Sequence, residues 1–416
     1  KTSRALRSMV EAFYREGKQI LLLSYTNRAV DEICKMLTAI TPAVDFIRIG
    51  SELSCEETYR PYLIENVLEA CSMRREVQER MARCRIFVGT VSTISAKTEL
   101  FRLKTFDVAM VDEATQILEP QLLGLLCTRS VSGGNAIAKF ILIGDHKQLP
   151  AVILQSSKQS EVYEEALRAI GLYNLKDSLF ERLYRNVTKQ RPVCSSPASA
   201  LHAQAPDWGS STFNSQFSTL NSYDMLCRQG RMNVEVASFP NHAFYGGLLQ
   251  PVGLAHQTGA LELSPELVDN EFAGLLTRRV AFLPSTPEPL MQSVKTNHSE
   301  AKVVARLAAA VYRQYASTST GFDAALTLGI ITPYRSQIAL IRNEIAGMGI
   351  AALKDILVDT VERFQGSERD VIIYSFCVNR AYQLKFLANL TEEDGVQIDR
   401  KLNVALTRAR KQMFIT

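Results

Sequence analysis

At 416 residues the chain is too long for one ordinary hydrophobic core and points to two domains. Hydrophobic residues at 46% and charged residues at 22% exclude a disordered chain, and no apolar run approaches the length of a membrane span. A net charge of +4 neither demands nor excludes a polyanionic partner, so any nucleic-acid track must be a local basic surface.

The opening KTSRALRSMVEAF lacks a signal-peptide core, which sets the expectation of a soluble intracellular protein, cytoplasmic or, in a eukaryote, nuclear. The eight cysteines are scattered, with no CxxC pair, and read as reduced packing thiols. Neither zinc nor an iron–sulfur cluster is expected.

Lys1 and Thr2 stand directly before a segment in which Ala5, Leu6, Met9, Val10 and Phe13 recur at helical spacing, with Gly17 stopping the helix. The strand QILLLS follows at once. A Lys-Thr pair at the start of such a helix is how a phosphate-binding GxxxxGK[ST] loop ends, although KT alone carries almost no information. After the strand, Thr26 and Asn27 precede a helix whose apolar face is Val30, Ile33, Cys34 and Leu37. Small polar groups at a strand end can bond the phosphates of a nucleic-acid strand.

Residues 41 to 85 read as a charged helical insertion, rich in Glu and Arg from Cys55 onward, and RIFVGTVST returns to strand with Thr90 near its end. Next comes FDVAMVDEATQ. Its mostly apolar run, Phe106 to Met110, predicts a buried strand leading to two adjacent carboxylates, Asp112 and Glu113. An acidic pair after a strand can simply begin a solvated loop. In a parallel α/β sheet, however, that end is where ligands bind, and there a carboxylate can hold magnesium while its neighbour polarises an attacking water. FILIGDHKQLPAV predicts a further strand with Gln148 in the loop beyond it, where an amide can bond both a γ-phosphate and that water.

SLFERL closes a first domain, taken as residues 1–185. Residues 186–222, rich in Ser, Pro and Ala and holding the only tryptophan, Trp208, read as a surface loop or linker. In 223–416, a strand at 279–284, a helix at 299–315, a strand and turn at 328–337, a helix to about Ile345, a strand near ILVDTV, a strand at 371–376 and a helix around 400–410 make a second alternating α/β domain. Arg408, on the last of these helices, and Arg231 are candidates to neutralise charge on a transferring phosphate across a cleft between the domains; the alternative, that Arg408 and Arg410 only line a basic helix face, is disfavoured by the order of the segments.

The blocks KT, SYTNRAVDEI, FVGTVST, VDEATQILEP, LIGDHKQLPAV, SLFERL, RQGRM with FPNHAFYGGLL, ITPYRSQI, DTVERFQGSERDVII and LNVALTRAR occur in the order found in superfamily 1 helicases. Over nearly its whole length the chain resembles their five-prime-to-three-prime branch, typified by the nonsense-mediated-decay RNA helicase and related DNA helicases. The resemblance implies an α/β protein of two RecA-like P-loop NTPase domains, each a mostly parallel sheet flanked by helices. It implies an ATP-driven motor on single-stranded DNA or RNA. Lys1 would hold the β and γ phosphates, and Thr2 and Asp112 the magnesium. Glu113 would activate the water, Gln148 would sense the γ-phosphate, and Arg231 and Arg408 would stabilise its transfer. Gly366 and Glu368 would border the nucleotide, and Thr26, Asn27, Thr90, Thr332, Pro333 and Thr360 fall on the nucleic-acid track.

Three departures stand out. The glycines of the phosphate loop are missing ahead of Lys1, so the chain reads as part of a longer protein with further domains. Gly230 stands where the family commonly carries a tyrosine that stacks on adenine, and the 186–222 segment is long. The incomplete phosphate loop leaves a second expectation open, a non-catalytic nucleic-acid-binding or scaffolding module.

Overall fold

The computed structural model describes residues 2–69, 71–189, 223–288, 293–319, 321–393 and 395–416. Lys1, Trp208 and almost all of the 186–222 segment therefore lie outside the described residues. The chain divides into two compact units, one of Thr2–His146 with Pro150–Met225, the other of Leu226–Thr416 with Lys147–Leu149.

In the first unit the strands are β1 Ile20–Ser24, β2 Phe46–Ile49, β3 Ile86–Thr90, β4 Phe106–Val111 and β5 Ile137–Leu142, in one parallel sheet ordered β2-β3-β1-β4-β5. Successive side chains point to opposite faces, and both faces are covered. Leu21, Leu23, Phe87, Ala109 and Val111 feed one apolar cluster; Ile20, Leu22, Val88, Val108 and Met110 feed the other. The helices Thr2–Arg15 and Asn27–Thr38 belong to the second of these through Leu6, Val10, Val30, Ile33 and Leu37. Truncating a strand leucine such as Leu22 to alanine in such a core costs about 2–5 kcal/mol.

Residues 41–85 are not a purely helical insertion, because they supply β2, an edge strand of the sheet. Its signal is hidden by Arg48 in the middle of FIRI. That arginine is 1% exposed and is tolerated because Asp31 pairs with its guanidinium and Ser54 O accepts from it. The rest of the span is short helical pieces, up to the helix Arg74–Arg83.

In the second unit β6 Arg228–Gln229 and β7 Gln250–Pro251 form a small parallel pair. The main sheet uses β8 Val280–Phe282, β9 Leu328–Ile331, β10 Leu357–Asp359 and β11 Arg369–Tyr374. After the antiparallel hairpin β12 Leu390–Glu393 and β13 Val396–Asp399, β14 Ala409–Ile415 completes a parallel order β10-β9-β11-β14-β8. The helix His298–Ala316, capped by the Asn297 side chain, lays Ala301, Val304, Ala305, Leu307, Ala308 and Val311 into the core. The last helix is Arg400–Leu406 and does not continue to 410. The Thr407 hydroxyl turns back onto Asn403 O at 2.7 Å, and the chain then enters β14 beside β11. Among the described residues no helix is long and apolar enough to cross a membrane.

Candidate nucleotide and nucleic-acid sites

In the first sheet the chain leaves β1 toward β3 and β2 but leaves β4 toward β5, so the connections diverge at the carboxyl ends of these two neighbours. A crevice at such a point is where open α/β sheets bind ligands. Ser24 ends β1 and Asp112 follows β4. The Ser24 hydroxyl donates to Asp112 O at 3.3 Å, and Asp112 N donates to Leu23 O at 2.8 Å.

The Asp112 carboxylate is the outlier of this edge. Its Oδ1 is buried without a hydrogen-bond partner. Burial, and then the adjacent Glu113 charge, push its pKa up to about 7. Glu113 holds left-handed backbone angles, φ 54° and ψ 39°, a conformation that costs a non-glycine residue roughly 1–2 kcal/mol. The turn is held by Ala114 N donating to Ile143 O at 2.8 Å, and Gln116 Nε2 donates to Glu113 Oε2 at 3.0 Å. Beyond β5, Gly144 lies so close to Thr115 that a Cβ there would stand 2.9 Å from Thr115 Cγ2 and 3.1 Å from its backbone N. A buried carboxylate oxygen lacking a partner is a donor that suits a hard divalent cation.

The nucleic-acid candidates of this unit sit at strand ends but already serve as helix caps. Thr26, which is exposed, accepts from Ala29 N at 3.2 Å; Asn27 begins the same helix. Thr90, 6% exposed, accepts from Thr93 N at 3.1 Å and donates to Thr93 Oγ1 at 2.8 Å.

In the second unit Arg231 and Glu368 meet. Arg231 Nε donates to Glu368 Oε2 at 2.5 Å and Nη1 to Thr407 O at 3.2 Å. Burial works to raise Glu368, but the charge and hydrogen bond of Arg231, with Arg410 behind, hold it below the usual carboxylate range. Gly366 turns the chain ahead of β11 with φ 79°. Arg408 is not on a helix face but at the helix-to-strand junction, 2% exposed, with Nε donating to Val404 O at 3.0 Å. Gln148 groups with this unit, and Arg408 Nη2 donates to its Oε1 at 3.0 Å.

The Thr332 hydroxyl is buried without a partner, while Thr332 N donates to Asp359 O at 3.1 Å. Pro333 and Thr360 are half-buried beside it in sequence and at the end of β10. Sequence reasoning missed the residues that build the Arg231 loop. The Gln229 amide accepts from Arg231 N and Met232 N at 3.0 and 2.8 Å. Gln257 Nε2 donates to Gln229 O at 2.9 Å, and His256 Nε2 lies 2.9 Å from Arg231 O. No local pattern marks single amides of this kind in advance.

A protein-family model described as an AAA domain matches residues 208–416, half of the chain, and a second model of the same description matches 69–156. The chain belongs to this AAA-domain family. The DNA replication ATP-dependent helicase/nuclease DNA2 of Bos taurus is 26% identical over 429 residues, covering 98% of this chain and 34% of that protein. The DNA polymerase alpha-associated DNA helicase A of Saccharomyces cerevisiae is 25% identical over 461 residues, covering 96% of this chain and 58% of its own. Within the family the chain is a superfamily 1 helicase by its motif order and its relatives. It spans about a third of the length of the first of these relatives.

Proposed function

We propose that this chain is the motor of an ATP-dependent helicase or translocase that moves on single-stranded nucleic acid, in the five-prime-to-three-prime direction. The observation that carries this reading is the buried, partnerless Asp112 oxygen beside a backbone-strained Glu113 at the carboxyl ends of β1 and β4. A solvated loop would have no reason to keep a carboxylate out of water. In this reading 1–185 and 223–416 are the two RecA-like domains, joined by 186–222, in an intracellular setting, cytoplasmic or nuclear.

Glu113 takes the general-base role and orients the attacking water. Gln148 reads the γ-phosphate, and Arg231 and Arg408 neutralise the charge that develops on it. Lys1 binds the phosphates, and Glu368 and Gly366 border the nucleotide. Asp112, with Thr2, would hold a magnesium ion, which when bound supplies charge neutralisation at the β and γ oxygens. Thr26, Asn27, Thr90, Thr332, Pro333 and Thr360 form the track, chiefly through backbone phosphates.

DNA is the favoured track, since one relative is named a DNA helicase and another a DNA replication helicase/nuclease. RNA remains the second reading, because no 2′-hydroxyl contact is fixed by these motifs. Strand displacement on duplexes with a 5′ or a 3′ tail, in DNA and in RNA, tests direction and track together. Displacement confined to 5′-tailed substrates is expected; displacement from 3′ tails alone would overturn the direction.

A further inference from the structure

Around the helix Gln383–Leu387 the usual hydrophobic order is inverted. The glutamine is buried at 2% exposure, whereas Tyr382, Leu384 and Phe386 are 47%, 52% and 75% exposed. The two rings stand edge to face with centroids 6.2 Å apart. Scattered exposed apolar residues need no explanation, but two adjoining aromatics beside a buried amide do.

The buried amide ties this surface to neighbouring segments. Gln383 Oε1 accepts from Asn379 N and Arg380 N, both at 2.9 Å. Its Nε2 donates to Val294 O at 2.8 Å and to the Tyr334 hydroxyl at 3.3 Å. Asn379 Nδ2 donates to Thr296 O at 2.8 Å. Three segments are thus tied together, 294–296, the Thr332–Tyr334 loop and 379–383. Each carries an exposed cation beside the tie: Lys295, Arg335, and Arg380 with Lys385. The carboxylates nearest in sequence to the rings, Glu392 and Glu393, lie on the hairpin that follows.

We infer that Tyr382 and Phe386, flanked by Arg380 and Lys385, form a stacking surface for the bases of a single nucleic-acid strand. Exposed aromatic faces interleaved with cations are what an unpaired strand requires, because every base has a face to stack and every nucleotide a phosphate to neutralise. The inference rests on the proposed function and adds residues outside the helicase blocks to its track.

The test is fluorescence anisotropy of the full chain with labelled single-stranded DNA and RNA oligonucleotides, without nucleotide, over a salt series. Tyr382→Ala and Phe386→Ala are each expected to weaken binding about 5- to 100-fold. Phe386→Trp retains affinity, and Phe386→Leu loses it although it stays apolar. Lys385→Gln lowers the slope of log affinity against log salt by about 0.7. A 5-iodouracil-substituted strand is expected to crosslink at Tyr382 or Phe386, and thermal melting of the variants should match the parent because the rings are exposed. If the parent binds and these variants bind equally well, the surface serves another partner, such as a protein, and the inference falls while the motor reading stands. If the parent binds neither DNA nor RNA single strands, both fall.

Discussion

Arg231 reaches across 137 positions of sequence to place its Nε 2.5 Å from Glu368 Oε2. Both side chains are partly exposed, at 30% and 44%. An ion pair in that setting contributes less than about 1 kcal/mol to stability. On the proposed reading its value lies in holding the guanidinium ready rather than in holding the fold.

The first prediction follows from that contrast. Arg231→Ala should leave thermal melting almost unchanged yet lower nucleic-acid-stimulated ATP turnover by about 10³-fold, the scale of a lost transition-state arginine. Melting curves and kcat on the same preparation check it. Unchanged turnover would return Arg231 to a purely structural part.

Glu113 provides the second. Glu113→Gln keeps the shape and the Gln116 neighbour but removes the base. Nucleotide binding should persist while hydrolysis falls by about 10²- to 10⁴-fold. Equilibrium binding of a fluorescent ATP analogue and single-turnover hydrolysis separate the two effects, and normal hydrolysis would remove Glu113 from its role.

Asp112 makes stability depend on pH. Its folded-state pKa is raised to about 7 from an ordinary 3.8, so between those values the native state holds a proton that the unfolded state has lost. Stability contributed by this group is therefore fully present below pH 4 and is lost as pH rises toward 7, by at most about 1.4 kcal/mol per pH unit. Comparing denaturant midpoints of the nucleotide-free protein with those of Asp112→Asn isolates the effect. The difference between the two should shift in favour of the Asn variant as pH climbs from 4 to 7; a constant difference would contradict it.

Gly144 is expected to tolerate nothing larger. Gly144→Ala places a methyl 2.9 Å from Thr115 Cγ2 and should destabilise by about 1–3 kcal/mol, as overpacking does. Adding Thr115→Ser removes the nearer of the two clashes and should recover part of the loss. Chemical denaturation of the single and double variants measures both.

How much of this was legible beforehand follows from the physics of each element. The apolar runs of β1, β3 and β4 announced themselves, because strands buried on both faces need continuous hydrophobic side chains. The strand β2 did not, since Arg48 interrupts a run of only four residues. The hairpin β12–β13 was equally hidden, with Thr391, Glu392 and Gln397 giving it little apolar signal. Asp112 and Glu113 could be named from their place after a strand, whereas the partnerless state of Asp112 Oδ1 needed coordinates. The helix drawn through Arg408 stops at Leu406 and the chain enters β14 to pair with β11, a tertiary pairing invisible to periodicity. Gln257 and Gln383 act through hydrogen bonds between segments distant in sequence, which no local pattern encodes, whereas Gln229 closes its own turn on Arg231 and Met232.

The central claim is that ATP hydrolysis here is coupled to a nucleic-acid strand. The most direct measurement is steady-state ATP hydrolysis, by the protein with a complete GxxxxGK[ST] loop ahead of its helix, with and without single-stranded DNA and RNA. Strong stimulation by one of these polymers, lost in Glu113→Gln, is the result expected. Absent hydrolysis with either polymer, while the strand still binds, would contradict the motor and leave a nucleic-acid-binding scaffold in its place.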